Sequence, residues 1–162
     1  EFRRVLFRSI EFLEDQPDLD VILTPIGGGG LLSGTALAAK QINPNISVIG
    51  TEPEMADDAY RSFKKGILLP GYSTATIADG LRTSLGTLPF EIIKDHVDDI
   101  LTVSESSIIS SMRYIWERLN IIIEPSCAVP LAALFNNKEL FADKKVGIII
   151  TGGNVDLDNL PW

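Results

Sequence analysis

Four consecutive glycines, Gly27–Gly30, stand between a short apolar run and a helical pattern. No side chain there can fill space, so the backbone lies open to close approach. The preceding Asp20–Pro25 (Asp-Val-Ile-Leu-Thr-Pro) is short, apolar and β-rich, as a buried parallel strand requires. The following Leu31–Gln41 sets Leu32, Ala36 and Ala39 at helical spacing, and Asn43-Pro44-Asn45 stops it. Strand, glycine run and helix N-terminus turn backbone N–H groups and a partial positive charge toward one point, which is a phosphate site. The competing reading is a flexible turn, but four glycines cost more backbone entropy than a turn needs.

The same alternation continues along the chain. Ile10–Glu14 reads as a helix tail stopped near Pro17, Ile46–Thr51 as a strand and Ala56–Lys65 as a helix ending at Gly66. Residues 69–76 form a loop, Phe90–Asp95 a helix and Asp99–Val103 a strand. Ser104 and Ser106 offer caps for a helix over Ser107–Leu119, whose apolar face carries Ile108, Met112, Ile115 and Leu119. Glu124-Pro125 opens a helix through Phe135, and Val146–Ile150 is a strand running into Thr151-Gly152-Gly153-Asn154. Strands alternating with helices predict an α/β protein with a three-layer parallel sheet. Ligands in such sheets sit beyond the carboxyl ends of the strands, where both glycine loops fall.

Composition narrows the function. The length of 162 residues suits one domain, and a mean hydropathy of +0.18 excludes general disorder. A net charge of −8 argues against nucleic acid, and no apolar run is long enough to span a membrane. A single cysteine, Cys127, excludes a disulfide framework and a cysteine-based zinc site. The first nine residues, Glu1–Ser9, hold three of the arginines and look like a translated sequencing adapter. We therefore expect residues 1–9 to be foreign and 10–162 to be the C-terminal part of a larger domain.

Two phosphate-binding chemistries depart from this pattern. A nucleotide triphosphate loop requires a lysine after the glycines, and none is there. A dinucleotide fingerprint requires a last glycine where Ser33 stands, although Glu52 is placed to mimic its acidic ribose ligand. A Rossmann-like oxidoreductase domain is therefore the alternative, and a non-catalytic ligand-binding module is a third. The hydroxyl of Thr151, at the end of an apolar strand, faces the side of the phosphate loop. It can bond a heteroaromatic nitrogen without bringing a full charge.

At this point the chain resembles the serine racemase and serine/threonine dehydratase family of the tryptophan-synthase-like pyridoxal-phosphate fold. The matching motifs are Pro25-Ile26-Gly27-Gly28-Gly29-Gly30-Leu31-Leu32-Ser33-Gly34, Glu52-Pro53 with Ala56-Asp57-Asp58, Thr76-Ile77-Ala78-Asp79-Gly80, Ile123-Glu124-Pro125 and Thr151-Gly152-Gly153-Asn154-Val155-Asp156. The resemblance implies that Gly27, Gly28, Gly29, Gly30, Leu31 and Gly80 surround the cofactor and that Thr151 meets its pyridine nitrogen. It further implies that Asp79 and Glu124 line or approach the active site, and that Asn154 lies near an inter-subunit nucleotide site, with ATP as an allosteric effector. A homodimer, serine or threonine as substrate and a cytoplasmic location follow from the same resemblance.

Glu52 and Asp58, with the Ala56 carbonyl, can offer three oxygens to a hard cation, Mg²⁺ or Ca²⁺, with water completing the shell. Racemase-like members hold a divalent cation at the matching positions; the plain alternative is two acids at a helix start. Cys127 reads as core packing or, less simply, a reactive thiol. His96 has no nucleophile pattern around it, and Trp116 and Trp162 belong to no nucleic-acid motif. The chemistry needs a Schiff-base lysine. Ser62-Phe63-Lys64-Lys65-Gly66 imitates the family's lysine segment but follows the phosphate loop instead of preceding it. We read Lys64 as a decoy, and the chain as lacking catalysis on its own.

Overall fold

A computed structural model describes residues 2–71 and 75–162, so part of the predicted loop 69–76 lies outside the described residues. The chain runs α1 (Phe2–Asp15), β1 (Val21–Pro25), α2 (Gly30–Ile42), β2 (Ser47–Pro53), α3 (Asp58–Lys65), α4 (Thr87–His96), β3 (Asp99–Val103), α5 (Glu105–Leu119), α6 (Pro125–Asn136) and β4 (Val146–Ile148). Short 3₁₀ turns occupy Glu54–Ala56, Asp79–Leu81 and Lys138–Phe141.

Successive strand residues face opposite sides, and here both sides are covered. Ile22, Val48 and Ile100 face a core built with Leu13, Leu32, Ala36, Phe90 and Ile93 from α1, α2 and α4. Val21, Leu23 and Ile49 face the other way, onto Phe141. On that side α5 and α6 pack through Ile108, Met112, Ile115, Val129 and Ala132, and α6 crosses β1, β2 and β3. The result is the three-layer parallel α/β architecture that the alternation predicts.

The sheet order is β3-β2-β1-β4, with every pair parallel. The chain moves outward from β1 to β2 and β3, then returns to lay β4 on the other side of β1. Strand order therefore reverses between β1 and β4. The carboxyl ends of those two strands carry Gly27–Gly30 and Thr151, so the reversal leaves a crevice between the two loops.

Several boundaries differ from the sequence expectation, each for a local reason. Helix α3 starts at Asp58, not Ala56, because Glu54–Ala56 tightens into a 3₁₀ turn. Strand β4 ends at Ile148, not Ile150. Ile149 N–H still bonds the Leu23 carbonyl, but the Thr151 amide turns away to Cys127. Helix α1 runs without interruption through the residues expected to be foreign, and the Ser9 hydroxyl bonds Thr35 Oγ1 at 3.1 Å. Ser104 caps α5, as anticipated, by accepting the Ser107 amide.

Leu32, fully buried where α2 meets the sheet, fixes the helix behind the glycine loop. Leu32→Ala should cost about 2–5 kcal/mol of folding stability, read as a lower urea midpoint at unchanged slope.

Candidate functional site

A cavity of about 880 Å³ opens at the β1–β4 reversal. Gly27, Gly28, Gly29, Gly30, Leu31, Gly80, Glu124 and Thr151, all singled out in the sequence, line it. Asp79 and Asn154 do not. Asp79 turns its carboxylate onto the Gly80 amide, and Asn154 uses its backbone N–H, at 2.9 Å, on Glu124 Oε2.

The glycine loop is shaped for an anion. Gly29 precedes α2 with φ of 86°, and no side chain caps the first turn of the helix. The leading amides of α2 are thus left for a ligand, reinforced by the helix dipole. A Cβ at Gly29 would sit 2.6 Å from Leu85 Cδ1 and 2.7 Å from Pro89 Cβ, whereas one at Gly30 would meet nothing within 4 Å. The fold therefore requires glycine at position 29, whereas at Gly30 it leaves open space.

Thr151, three residues beyond β4, lines the same cavity as the glycines. Its hydroxyl lies 3.0 Å from Cys127 Sγ, and that sulfur also accepts the amides of Thr151 and Gly152 at 3.1 and 2.9 Å. Cys127 is fully buried, so its place is in the packing that aims Thr151. Ser126 accepts the Gly80 amide, and the Glu124 amide donates to the Gly152 carbonyl. One short segment at the start of α6 thus ties together the loops after Ala78 and after β4.

Sequence reasoning missed Thr83 and Ser126, which also line the cavity. Thr83 lies three residues beyond the Thr76–Gly80 motif, and a Cβ on Gly27 would stand 2.8 Å from its hydroxyl. Only the small size of Gly27 hinted at such a close neighbour. Arg8 and Val5 of α1 complete one rim.

Glu52 and Asp58 are both buried. Glu52 accepts the Ala59 and Tyr60 amides at 3.2 and 2.8 Å, so it caps α3 from the preceding strand. Desolvation, assisted by repulsion from Asp58, pushes its carboxyl up to about 8 despite those amides. Asp58 Oδ2 accepts the Leu85 amide at 2.8 Å. No cluster of three Asp, Glu, His or Cys side chains occurs among the described residues, so a cation here would draw on the Ala56 carbonyl.

Among the described residues, no lysine lines the cavity. Lys64 pairs with Asp99 at 2.6 Å on the surface, away from the cavity. His96 closes α4, and the Trp116 indole bonds the Ile123 carbonyl while meeting Trp162 edge to face.

This fold and crevice match a known class. The pattern of the family "Pyridoxal-phosphate dependent enzyme" covers residues 9–152, and the chain belongs to that family. The dinucleotide-binding alternative is thereby overturned, in keeping with Ser33 standing where its fingerprint requires a third glycine.

Among curated relatives, the chain is 50% identical over 152 residues to β-hydroxyaspartate dehydratase of Paracoccus denitrificans (strain Pd 1222), covering 94% of this chain and 48% of the relative. It is 52% identical over 159 residues to serine racemase of Dictyostelium discoideum, covering 94% and 48%. The crystal structure of the Dictyostelium racemase superimposes with a TM-score of 0.88 at 50% identity, over 94% of this chain and 50% of that one. The crystal structure of a threonine deaminase from T.th. does so at 0.89 and 38% identity, over 94% and 57%. The chain spans about half the length of the curated relatives it matches.

Two measurements probe this geometry. Gly29→Ala should cost about 1–3 kcal/mol of stability through its left-handed backbone and its clashes, whereas Gly30→Ala should leave the melting temperature unchanged. In chelator, wild-type stability should fall as pH rises from about 4.5 to 8, because the folded chain holds on Glu52 a proton that the unfolded chain has released. Glu52→Gln should remove that slope; parallel Tm profiles for the two proteins would contradict the burial argument.

Proposed function

We propose that the complete enzyme acts on small 3-hydroxy amino acids, L-serine, L-threonine or 3-hydroxyaspartate, releasing a 2-oxo acid and ammonia or inverting the α-carbon. One observation carries this reading. An uncapped glycine-rich helix start and a neutral hydroxyl face one cavity at the point where strand order reverses.

The cofactor's phosphate fits the amides of Gly27–Gly30 and the N-terminus of α2. When bound, pyridoxal phosphate supplies an electron sink for the bond-breaking at the α-carbon. Thr151 offers its hydroxyl to the ring nitrogen and delivers no charge to it, which suits elimination of a β-hydroxyl. Gly80 and Thr83 line the cavity beside Gly27, and a larger residue at Gly80 would press on Ser126. Glu124 stands on the same cavity with one oxygen engaged by the Asn154 amide. The lysine that such chemistry needs comes from outside residues 1–162.

Glu52, the Ala56 carbonyl and Asp58 fit a divalent cation. Two adjacent buried acids bring carboxyl oxygens close together, and a bound Mg²⁺ or Ca²⁺ would favour the ionised form of both. Such a cation would stabilise the folded state in proportion to its occupancy. A nucleotide effector near Asn154, a homodimer and a cytoplasmic location complete the proposal, on the family resemblance alone.

The experiment is a coupled assay of the complete protein, saturated with pyridoxal phosphate, on the three amino acids. Production of pyruvate, 2-oxobutyrate or oxaloacetate, or of the D-amino acid, is expected. Thr151→Ala should lower kcat by about tenfold or more through loss of one hydrogen bond to the ring. A complete enzyme that neither deaminates nor inverts any of the three would end this reading.

A further inference from the structure

We infer that Asp58 is a positioning residue of the cofactor cavity: its carboxylate holds the Thr83–Gly86 segment against the glycine loop. The inference rests on the phosphate reading of Gly27–Gly30 and assigns Asp58 a role in it.

The argument begins with a division of labour at the start of α3. A carboxylate in the first turn of a helix ordinarily serves that helix's own amides. Here Glu52 takes the Ala59 and Tyr60 amides, and Asp58, the first residue of α3, is left free of that duty. Asp58 is 5% exposed, and its Oδ2 reaches across to accept the Leu85 amide at 2.8 Å. Leu85 belongs to no helix or strand and its side chain is buried, so its amide has neither a ladder partner nor water to turn to.

Everything around that amide bears on the cavity. The next amide, Gly86 N–H, donates to the Gly28 carbonyl at 3.2 Å. The Leu85 side chain reaches the space beside Gly29. Two residues earlier, Thr83 stands against Gly27 and lines the cavity. The segment therefore touches three consecutive glycines of the phosphate loop, and Asp58 is the side chain that anchors it from outside. Remove the anchor, and the wall behind the glycines loosens while the glycines themselves stay unchanged.

The test uses the complete protein in chelator, so that a cation at Glu52 and Asp58 plays no part. Calorimetry gives the affinity for pyridoxal phosphate and, separately, for inorganic phosphate. Asp58→Ala should weaken both by about tenfold or more, the cost of leaving a buried amide unpaired. Asp58→Asn, whose carbonyl oxygen still accepts the Leu85 amide, should stay within about threefold of wild type. Amide exchange separates positioning from general loosening. Leu85 and Gly86 should be protected in wild type and Asp58→Asn and exposed in Asp58→Ala, with Ala36–Ala39 of α2 protected in all three.

An Asn variant as weak as the Ala variant would show that charge, not the tether, matters, and would overturn the inference. So would an unprotected Leu85 amide in wild type, or an Ala variant with wild-type affinity. If Asp58→Ala does not fold, Asp58→Asn decides alone: wild-type affinity with a protected Leu85 amide supports the tether, and loss of either overturns it. A wild type that keeps Leu85 protected yet has no affinity for pyridoxal phosphate refutes the cofactor reading instead.

Discussion

The first turn of α2 is open at its N-terminus, and the rest of the site is arranged around that fact. Four amides at a helix start need acceptors, and side chains usually provide one or two. Here none does, and the preceding residue is a glycine at positive φ with Leu85 and Pro89 packed where a side chain would stand. A helix end left this way is suited to an anion. The topology then decides where it points. With β4 returning beside β1, the open helix end shares a crevice with the loop after β4 and its hydroxyl.

The acids nearby show how a neighbouring element can change the expected use of a residue. Glu52 leaves a strand end to cap a helix that begins six residues later, and desolvation keeps it protonated at neutral pH. For a lone ionised acid there, two amide bonds would not offset the lost solvation. Its neighbour Asp58 is engaged by a different segment. The charge on Asp58 and the protonation of Glu52 are therefore coupled, although each acid serves a different piece of backbone.

Much of this was legible in the sequence, and the part that was not has identifiable causes. Glycines and a strand-terminal threonine advertise themselves because backbone exposure and a hydroxyl at a fixed place are properties of the residues alone. Thr83 and Ser126 carry no such mark; their role comes from the loops that bring them to Gly27 and Gly80. The early end of β4 could not be read from Val146–Ile150, an unbroken β-rich run. It depends on a sulfur from α6 competing for the Thr151 and Gly152 amides. The start of α3 likewise depends on a capping side chain from outside the helix.

The parallel pairing of Val21 with Val146 joins strands from opposite ends of the chain. Bringing together strands so distant in sequence has a large entropic cost before any contact offsets it, so such pairings form late. The β1–β2 unit and its helix can nucleate locally, giving a chain that already has its phosphate loop but no opposite wall. Only when β4 docks does Thr151 arrive and the crevice close. A chain that has not yet docked β4 leaves one edge of β1 unpaired.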